Sequence, residues 1–486
     1  MVRRFIGRKW ELQLLEKRLE RVAASEEGVA VAIRGRRQVG KSRLVQEFCD
    51  RAKQPYVYFT ATKGASPVEA VSRFVNALKD SSLSRDRELV PDVAAGSWLD
   101  AFRLLASALS DEPTIVVLDE MPWLAEQDDI FEGALQTAWD RQLSRHPVLL
   151  LLLGSDVHMM ERLTAYDRPF FGRADNFALG PLMPAETAQA TGLTGADAID
   201  ACLVSGGLPG ILRSWPHGTP ALTFIEAECA DPAAPLFSVP ESALQAEFPM
   251  PDQARRVLET VGGGDRTHAN IAAAAGSRHG PLPSGSLSPM LRRLVNEKRV
   301  LAMDEPLSTQ AGKPALYRVA DSNLRLYLGV LQEAQEEGRR GRPDVAFRLV
   351  RRRWTSWRGR AVEPLIRESL ELAAGDDAFP WPDAEKVGGW WNRQFNPEVD
   401  LVGGDRKPIA QQIAFVGSIK WLGAAFDDHD LADLLTSGSK VPGYTPGRTG
   451  HVVVSLSGVN ARVDTKQIGL VWRAEDVLSA WSTSRP

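Results

Sequence analysis

The stretch from Ala30 to Leu44, AVAIRGRRQVGKSRL, constrains this chain more than any other. An apolar run rich in β-branched residues, Val29 to Ile33, leads into Gly35, Arg36, Arg37, Gln38, Val39, Gly40, Lys41 and Ser42. Helical periodicity (Leu44, Val45, Phe48) resumes from Arg43. The spacing G-x-x-x-x-G-K-S has a physical reason: glycine lets the backbone curl until successive N–H groups point inward at a polyphosphate. Lys41 then reaches the β- and γ-phosphates and Ser42 holds Mg²⁺, at the start of a helix whose dipole favours the anion. A strand before the loop and a helix after it are the setting this chemistry requires, and they disfavour a glycine-rich turn without a ligand. ATP and Mg²⁺ are the expected cofactors.

The rest of the composition narrows the class. A chain of 486 residues is too long for one core and predicts three or four domains. Apolar and charged fractions of 44% and 25% are those of globular protein, and a net charge of −4 excludes a chain that is basic throughout. Any nucleic-acid contact must therefore come from local patches. Cys49, Cys202 and Cys229 show neither metal-ligand spacing nor an even-numbered framework, which predicts a reducing, cytoplasmic setting. Arg3, Arg4, Arg8 and Lys9 precede no apolar signal core, and the apolar run Val148 to Leu153 is too short to span a bilayer, so no membrane contact is expected.

Taken in order, Phe5 to Leu19 places Leu12, Leu15 and Leu19 on one helical face, with Glu11 near the helix start. Tyr56 to Phe59 reads as a strand; Pro67 to Leu78 and Trp98 to Leu109 read as helices. The apolar run from Thr114 ends in Asp119 and Glu120; Asp119 suits the outer shell of Mg²⁺, and Glu120 suits orienting or deprotonating the attacking water. Val148 to Leu153 ends at Gly154-Ser155-Asp156. Ser155 would lie beside a γ-phosphate if this strand sits between the first two, and capping the helix near Val157 is an equal alternative. Arg173, in Arg168-Pro169-Phe170-Phe171-Gly172-Arg173 ahead of a strand from Asn176 to Leu179, is a candidate to reach a γ-phosphate in cis or in a neighbouring subunit; a surface arginine is the alternative.

Beyond Met183 the pattern turns helical, like a lid, until Asp231 to Pro240, which reads as a Pro/Ala-rich linker. Helices at Ala254–Val261, Thr267–Ala275 and Ser286–Lys298, then a hairpin-like pair around Asp304 to Pro314, describe a winged helix-turn-helix. Arg292, Arg293, Lys298 and Arg278 put positive charge on and around its third helix, as major-groove recognition requires; a packing or protein-contact role is the alternative. From Arg339 to Arg360 nine arginines face one acid, Asp344, with Trp354 and Trp357 among them. Arg351, Arg352 and Arg353 suit a DNA backbone, with the rings free to stack on bases. A solvated helix face answering Glu333, Glu336 and Glu337 fits equally well.

The Phe5-Ile6-Gly7-Arg8 opening resembles an element that covers adenine in ATPases of the AAA+ and related signalling classes, which implies that Ile6, Gly7 and Arg8 line a base pocket. The order of Glu363 on a helix, Asp400 on a strand and Lys420 on the next resembles the restriction-endonuclease-like PD-(D/E)XK core, with Ser418 where that pattern has a glutamate. A metal site missing that carboxylate implies a nuclease remnant that does not cut. Together with the GRRQVGKS loop, LDEMPWL, GSD, FFGR, GGLP and YRVAD, these features resemble the prokaryotic archaeal-type P-loop ATPase family, within or near the STAND branch. The resemblance implies an α/β P-loop NTPase with a parallel sheet flanked by helices (1–182), a helical lid and linker (183–240), a winged helix-turn-helix (241–330), an Arg-rich linker (331–356) and a C-terminal α/β nuclease-like domain (357–486). Expected partners are double-stranded DNA, with a homo-oligomer and a protein partner left open. The alternatives to a DNA-coupled ATPase are an ATP-regulated nuclease and a non-catalytic signalling switch.

Overall fold

The structure is a computed structural model describing residues 5–83, 95–248, 253–277, 280–311 and 314–483. Arg3, Arg4 and Arg278, singled out above, lie outside the described residues. The chain divides into two compact units, Met1–Pro181 and Leu182–Pro486.

In the first unit the elements are α1 (Lys9–Ser25), β1 (Val29–Arg34), α2 (Lys41–Ala52), β2 (Tyr56–Thr60), α3 (Pro67–Lys79), α4 (Trp98–Ala108), β3 (Thr114–Asp119), α5 (Met121–Gln127), α6 (Phe131–Arg141), β4 (Val148–Gly154), α7 (Val157–Leu163) and β5 (Ala174–Ala178). All five strands are parallel, in the order β2-β3-β4-β1-β5. Every residue of β3 and β4 is buried, which is why both read as unbroken apolar runs: a parallel sheet is covered on both faces. Period-two alternation splits β2. Val57 and Phe59 join the aromatic cluster of Phe74, Trp98, Phe102 and Phe131, while Tyr56 and Tyr58 turn to the opposite face, where Gln46 of α2 donates to the Tyr56 hydroxyl. Because the strands are parallel, the loops after β1, β3 and β4 leave from the same edge. With β4 seated between β1 and β3, the Ser155 turn lies between the glycine loop and the two acids, as expected.

The second unit begins with α8 (Pro184–Thr191), α9 (Gly195–Ser205), α10 (Pro209–Leu212), α11 (Ala221–Glu228) and α12 (Pro235–Glu247). Next come α13 (Gln253–Gly263), α14 (His268–Ala274), α15 (Ser284–Arg292), the antiparallel pair β6 (Leu301–Asp304) and β7 (Leu316–Val319), α16 (Ser322–Leu326), α17 (Gln332–Arg339) and α18 (Pro343–Ala373). A mixed sheet follows, built of β8 (Lys386–Trp391), β9 (Glu398–Gly404), β10 (Ile413–Lys420), β11 (Gly450–Ser455) and β12 (Leu470–Trp472), with α19 (Asp428–Gly438) and α20 (Ala474–Thr483). Its order is β12-β11-β10-β9-β8; β8, β9 and β10 pair antiparallel, and β10, β11 and β12 parallel.

Three expectations are corrected here. The Asp231 to Pro240 linker is largely helix: Pro235 opens α12 at a position where no amide donor is needed, and Leu236, Phe237, Pro240 and Leu244 form its buried stripe. The Arg-rich linker 331–356 is helical too: α17 ends at Arg339, the chain turns at Gly341, and α18 from Pro343 runs without a break into the helix expected from Ala361. Arginine is a good helix former, and Ala346, Val350, Trp354, Trp357 and Ala361 recur at helical spacing along the buried face of α18. Finally, the loop between β6 and β7 is no free wing. Leu307 is fully buried in the core cluster of the C-terminal sheet with Trp390, Val399 and Val416, and its amide donates to the Gly389 carbonyl at 2.8 Å.

Candidate nucleotide site

The loop from Gly35 to Ser42 is shaped by backbone conformations that few residues tolerate. Gly40 (φ 94°) and Gln38 (φ 66°) are both left-handed, and Gly40 leads directly into α2. Gly35 serves differently: a β-carbon there would lie 2.4 Å from the Leu179 carbonyl oxygen, so the segment after β5 crosses too close for any side chain. Lys41 is 5% exposed, and its ammonium donates back to the carbonyls of Gly35 (2.6 Å) and Arg36 (3.1 Å). Burial pulls its pKa down to about 8, partly offset by the negative charges of Glu120 and Asp119. Ser42 and Gln38 are exposed on the open side of the loop, and Arg43 is spent on Glu47 of the same helix at 3.0 Å. Arg36 is half-buried and Arg37 exposed, while Val39 is buried under the loop.

Asp119 and Glu120 sit where β3 ends. Asp119 is fixed at both carboxylate oxygens: the Glu120 amide donates to Oδ1 at 2.9 Å and the Tyr58 hydroxyl to Oδ2 at 2.9 Å. Burial raises the Tyr58 pKa, Asp119 adds to the rise, and the nearby Ser42 side chain opposes it. Glu120 is left-handed (φ 55°), a conformation that costs a non-glycine residue about 1–3 kcal/mol and turns its carboxylate out of the strand line. That carboxylate accepts from the Ser155 hydroxyl at 2.8 Å. The cap of α7 belongs to Asp156, whose side chain accepts from the Met159 amide, so Ser155 is left to Glu120.

Arg8 is 3% exposed and left-handed (φ 63°). Its guanidinium donates to the carbonyls of Val39 (2.9 Å) and Gly180 (2.7 Å) and pairs with buried Glu11 at 3.2 Å. It thus ties the N-terminal segment and the chain after β5 to the glycine loop, with Ile6 and Gly7 beside it in sequence. Glu11 answers Arg8 rather than only the helix dipole. Arg173 is held by Asp140 through both carboxylate oxygens (2.7 and 2.8 Å) and also donates to the carbonyls of Pro169 and Phe171.

This arrangement combines a glycine loop, a buried lysine, an open serine hydroxyl, and two acids each held by a neutral hydroxyl. Residues 4–151 match the family model of the AAA ATPase domain. The match contains the glycine loop and both acids; Ser155 and Arg173 lie beyond it. No curated protein matches the chain. Among solved structures, the chain is similar to a Walker-type ATPase of Pyrococcus abyssi (17% identity, 67% of this chain and 96% of that one, TM-score 0.45). It is also similar to the Aeropyrum pernix ORC2 protein in ADPNP–ADP complexes (14%, 69% and 95%, 0.42) and to the Aeropyrum pernix ORC1 protein in complex with DNA (15%, 69% and 93%, 0.34).

Within the AAA ATPase domain the donors suit Mg²⁺ bound alongside phosphates. That ion takes one or two protein oxygens and keeps most of its water, so Ser42 and Asp119 suffice; among the described residues no group of three or more His, Cys, Asp or Glu is placed to hold a metal. Tyr58, which holds Asp119, carries no motif in the sequence. Its signal was the alternation of β2, which separates Tyr56 and Tyr58 from the core-facing Val57 and Phe59.

Outside the AAA ATPase domain, Arg292 and Arg293 are exposed at the end of α15, where the helix widens into a π-helical turn through Glu297; Lys298 is half-buried. Arg351 and Arg352 are exposed on α18, Arg351 lying 6.0 Å from the Phe347 ring. Arg353 instead pairs with Glu333 (2.7 Å) and donates to the Gly329 carbonyl, and Arg340 and Arg342 pair with Glu337. Much of the Arg-rich charge therefore answers the acidic run ahead of it. Base stacking by Trp354 and Trp357 is corrected: the two rings are 8% and 9% exposed and pack on each other at 5.4 Å.

In the C-terminal sheet, Ser418 donates to Asp400 at 3.3 Å, and the Ile419 amide does so at 2.9 Å. Burial pushes the Asp400 carboxyl up to about 6, with Glu363 adding. Lys420 does not meet Asp400; its ammonium is taken by both oxygens of Asp430 on α19 (2.5 and 2.6 Å). Arg367 donates to Glu363 at 3.3 Å and to the Asp400 carbonyl at 3.0 Å.

Proposed function

We propose that this chain binds ATP with Mg²⁺, hydrolyses it, and couples nucleotide state to DNA binding. The observation that carries the reading is the convergence, at one edge of one parallel sheet, of Lys41 and Ser42 with Asp119, Glu120 and Ser155. Lys41 and the loop amides neutralise phosphate charge; Ser42 and Asp119 would hold Mg²⁺, which screens the β- and γ-phosphates when bound. Glu120 accepts the proton of the attacking water, and Ser155 governs where that carboxylate points. Arg173 would have to leave Asp140 to reach a phosphate, so the reading gives it no catalytic step. Substituting Glu120→Gln tests the site: nucleotide binding should persist while turnover falls roughly a hundredfold or more, the usual worth of a general base. A variant that hydrolyses ATP at the parental rate removes Glu120 from this role.

The DNA half of the reading is supported by the order of α13, α14 and α15 followed by the β6/β7 pair, which is that of a winged helix-turn-helix, and by exposed Arg292 and Arg293 at the end of its third helix. Exposed Arg351 and Arg352 add a second basic patch. The nuclease reading has the helix and strands expected of it but not the charges. Ser418 is neutral, Lys420 is spent on Asp430, and Arg367 already occupies Glu363.

A further inference from the structure

We propose that Tyr58 is a positioning residue of the nucleotide site, fixing the Asp119 carboxylate so that Asp119 and Ser42 act together on Mg²⁺. The role rests on the ATPase reading above and extends it to a residue outside the glycine loop and the acid pair. Three observations carry it. The Tyr58 hydroxyl donates to Asp119 Oδ2 at 2.9 Å while the Glu120 amide holds Oδ1 at the same distance, so the carboxylate is fixed from both sides yet keeps a free lone pair on each oxygen. The Ser42 side chain is near enough to the same phenol to oppose the burial-driven rise of its pKa, so one side chain borders both oxygen donors expected to face the metal. And the ring is placed by the fold itself. It lies between β2 and α2 beside Tyr56, whose hydroxyl is held by Gln46, one helical turn beyond Ser42.

An acid at a strand end has two freely turning torsions. A cation that demands near-octahedral geometry gains affinity when those torsions are already set. Tyr58 sets them with a neutral donor, which leaves the charge of Asp119 intact, as a lysine or arginine at the same place would not. The remaining donor to Asp119 is a backbone amide and persists in any Tyr58 variant, so the hydroxyl's contribution can be isolated.

The test measures binding of a non-hydrolysable ATP analogue to the full chain, without Mg²⁺ and across a Mg²⁺ titration, for the parent, Tyr58→Phe, Asp119→Asn and the double variant. Tyr58→Phe should leave the Mg²⁺-free affinity unchanged and raise the Mg²⁺ concentration for half-maximal effect about tenfold, as removal of an outer-shell partner does. In the Asp119→Asn background the same change should add nothing. An unchanged Mg²⁺ midpoint overturns the proposal. So does an equal loss of affinity with and without Mg²⁺, which marks Tyr58 as a packing residue. A parent chain that binds no analogue at all overturns the ATPase reading, and this role with it.

Discussion

Lys41 shows how one side chain serves two states. Buried against its own loop carbonyls, its ammonium is uncomfortable, and its pKa falls to about 8. Phosphate binds the protonated form, so above pH 8 an increasing share of the free protein must take up a proton before it can bind. The dissociation constant measured by titration should therefore rise through that range, whereas Lys41→Arg, with a higher intrinsic pKa, should flatten the profile. Lys41→Ala removes the charge altogether and should cost about 3 kcal/mol, roughly a hundredfold in Kd. At this scale much of the site was legible in the linear order of residues, because G-x-x-x-x-G-K-S and a strand ending in two acids are local patterns. Tyr58 was not, since its partner Asp119 lies on a neighbouring strand, and the alternation of β2 shows only that Tyr58 faces away from the core, not what it meets. Nor was the work of Gly35, which depends on the Leu179 carbonyl crossing over it.

The helices show where periodicity outweighs composition. Nine arginines suggested a linker, but the spacing of Ala346, Val350, Trp354 and Trp357 makes a helix of the segment and turns both tryptophans inward. The two faces of α18 should accordingly respond differently. Trp357→Ala should lower stability by about 3–5 kcal/mol, read as a drop in the unfolding midpoint. Arg351→Glu with Arg352→Glu should leave stability within about 0.5 kcal/mol and weaken DNA binding instead. Reversal of Arg292 and Arg293 should act in the same direction, and affinity should fall steeply between low and moderate salt as phosphate contacts are screened. Absence of any mobility shift in low salt would recast α13, α14 and α15 as a packing module. The Arg353–Glu333 pair, being exposed, should contribute at most about 1 kcal/mol.

Over the whole molecule, order along the chain was more readable than the use of each piece. The strands of the first unit and the run of α13, α14 and α15 followed from apolar periodicity, yet the loop between β6 and β7 looked like a polar wing because the burial of Leu307 depends on a sheet formed nearly a hundred residues later. The C-terminal sheet likewise keeps Asp400 and Lys420 on adjacent strands while Asp430, on a later helix, claims the lysine. Plasmid should therefore stay intact with Mg²⁺ or Mn²⁺, with or without ATP; cleavage that vanishes on Asp400→Ala would bring the nuclease reading forward. Communication between a nucleotide cycle and DNA is read by ATP turnover of the full chain with and without duplex DNA at low salt. The expected result is turnover that depends on Glu120 and changes with DNA, the DNA effect fading at moderate salt and in the Arg292→Glu, Arg293→Glu variant. Turnover that is absent in both conditions, or that persists unchanged in Glu120→Gln, would contradict it.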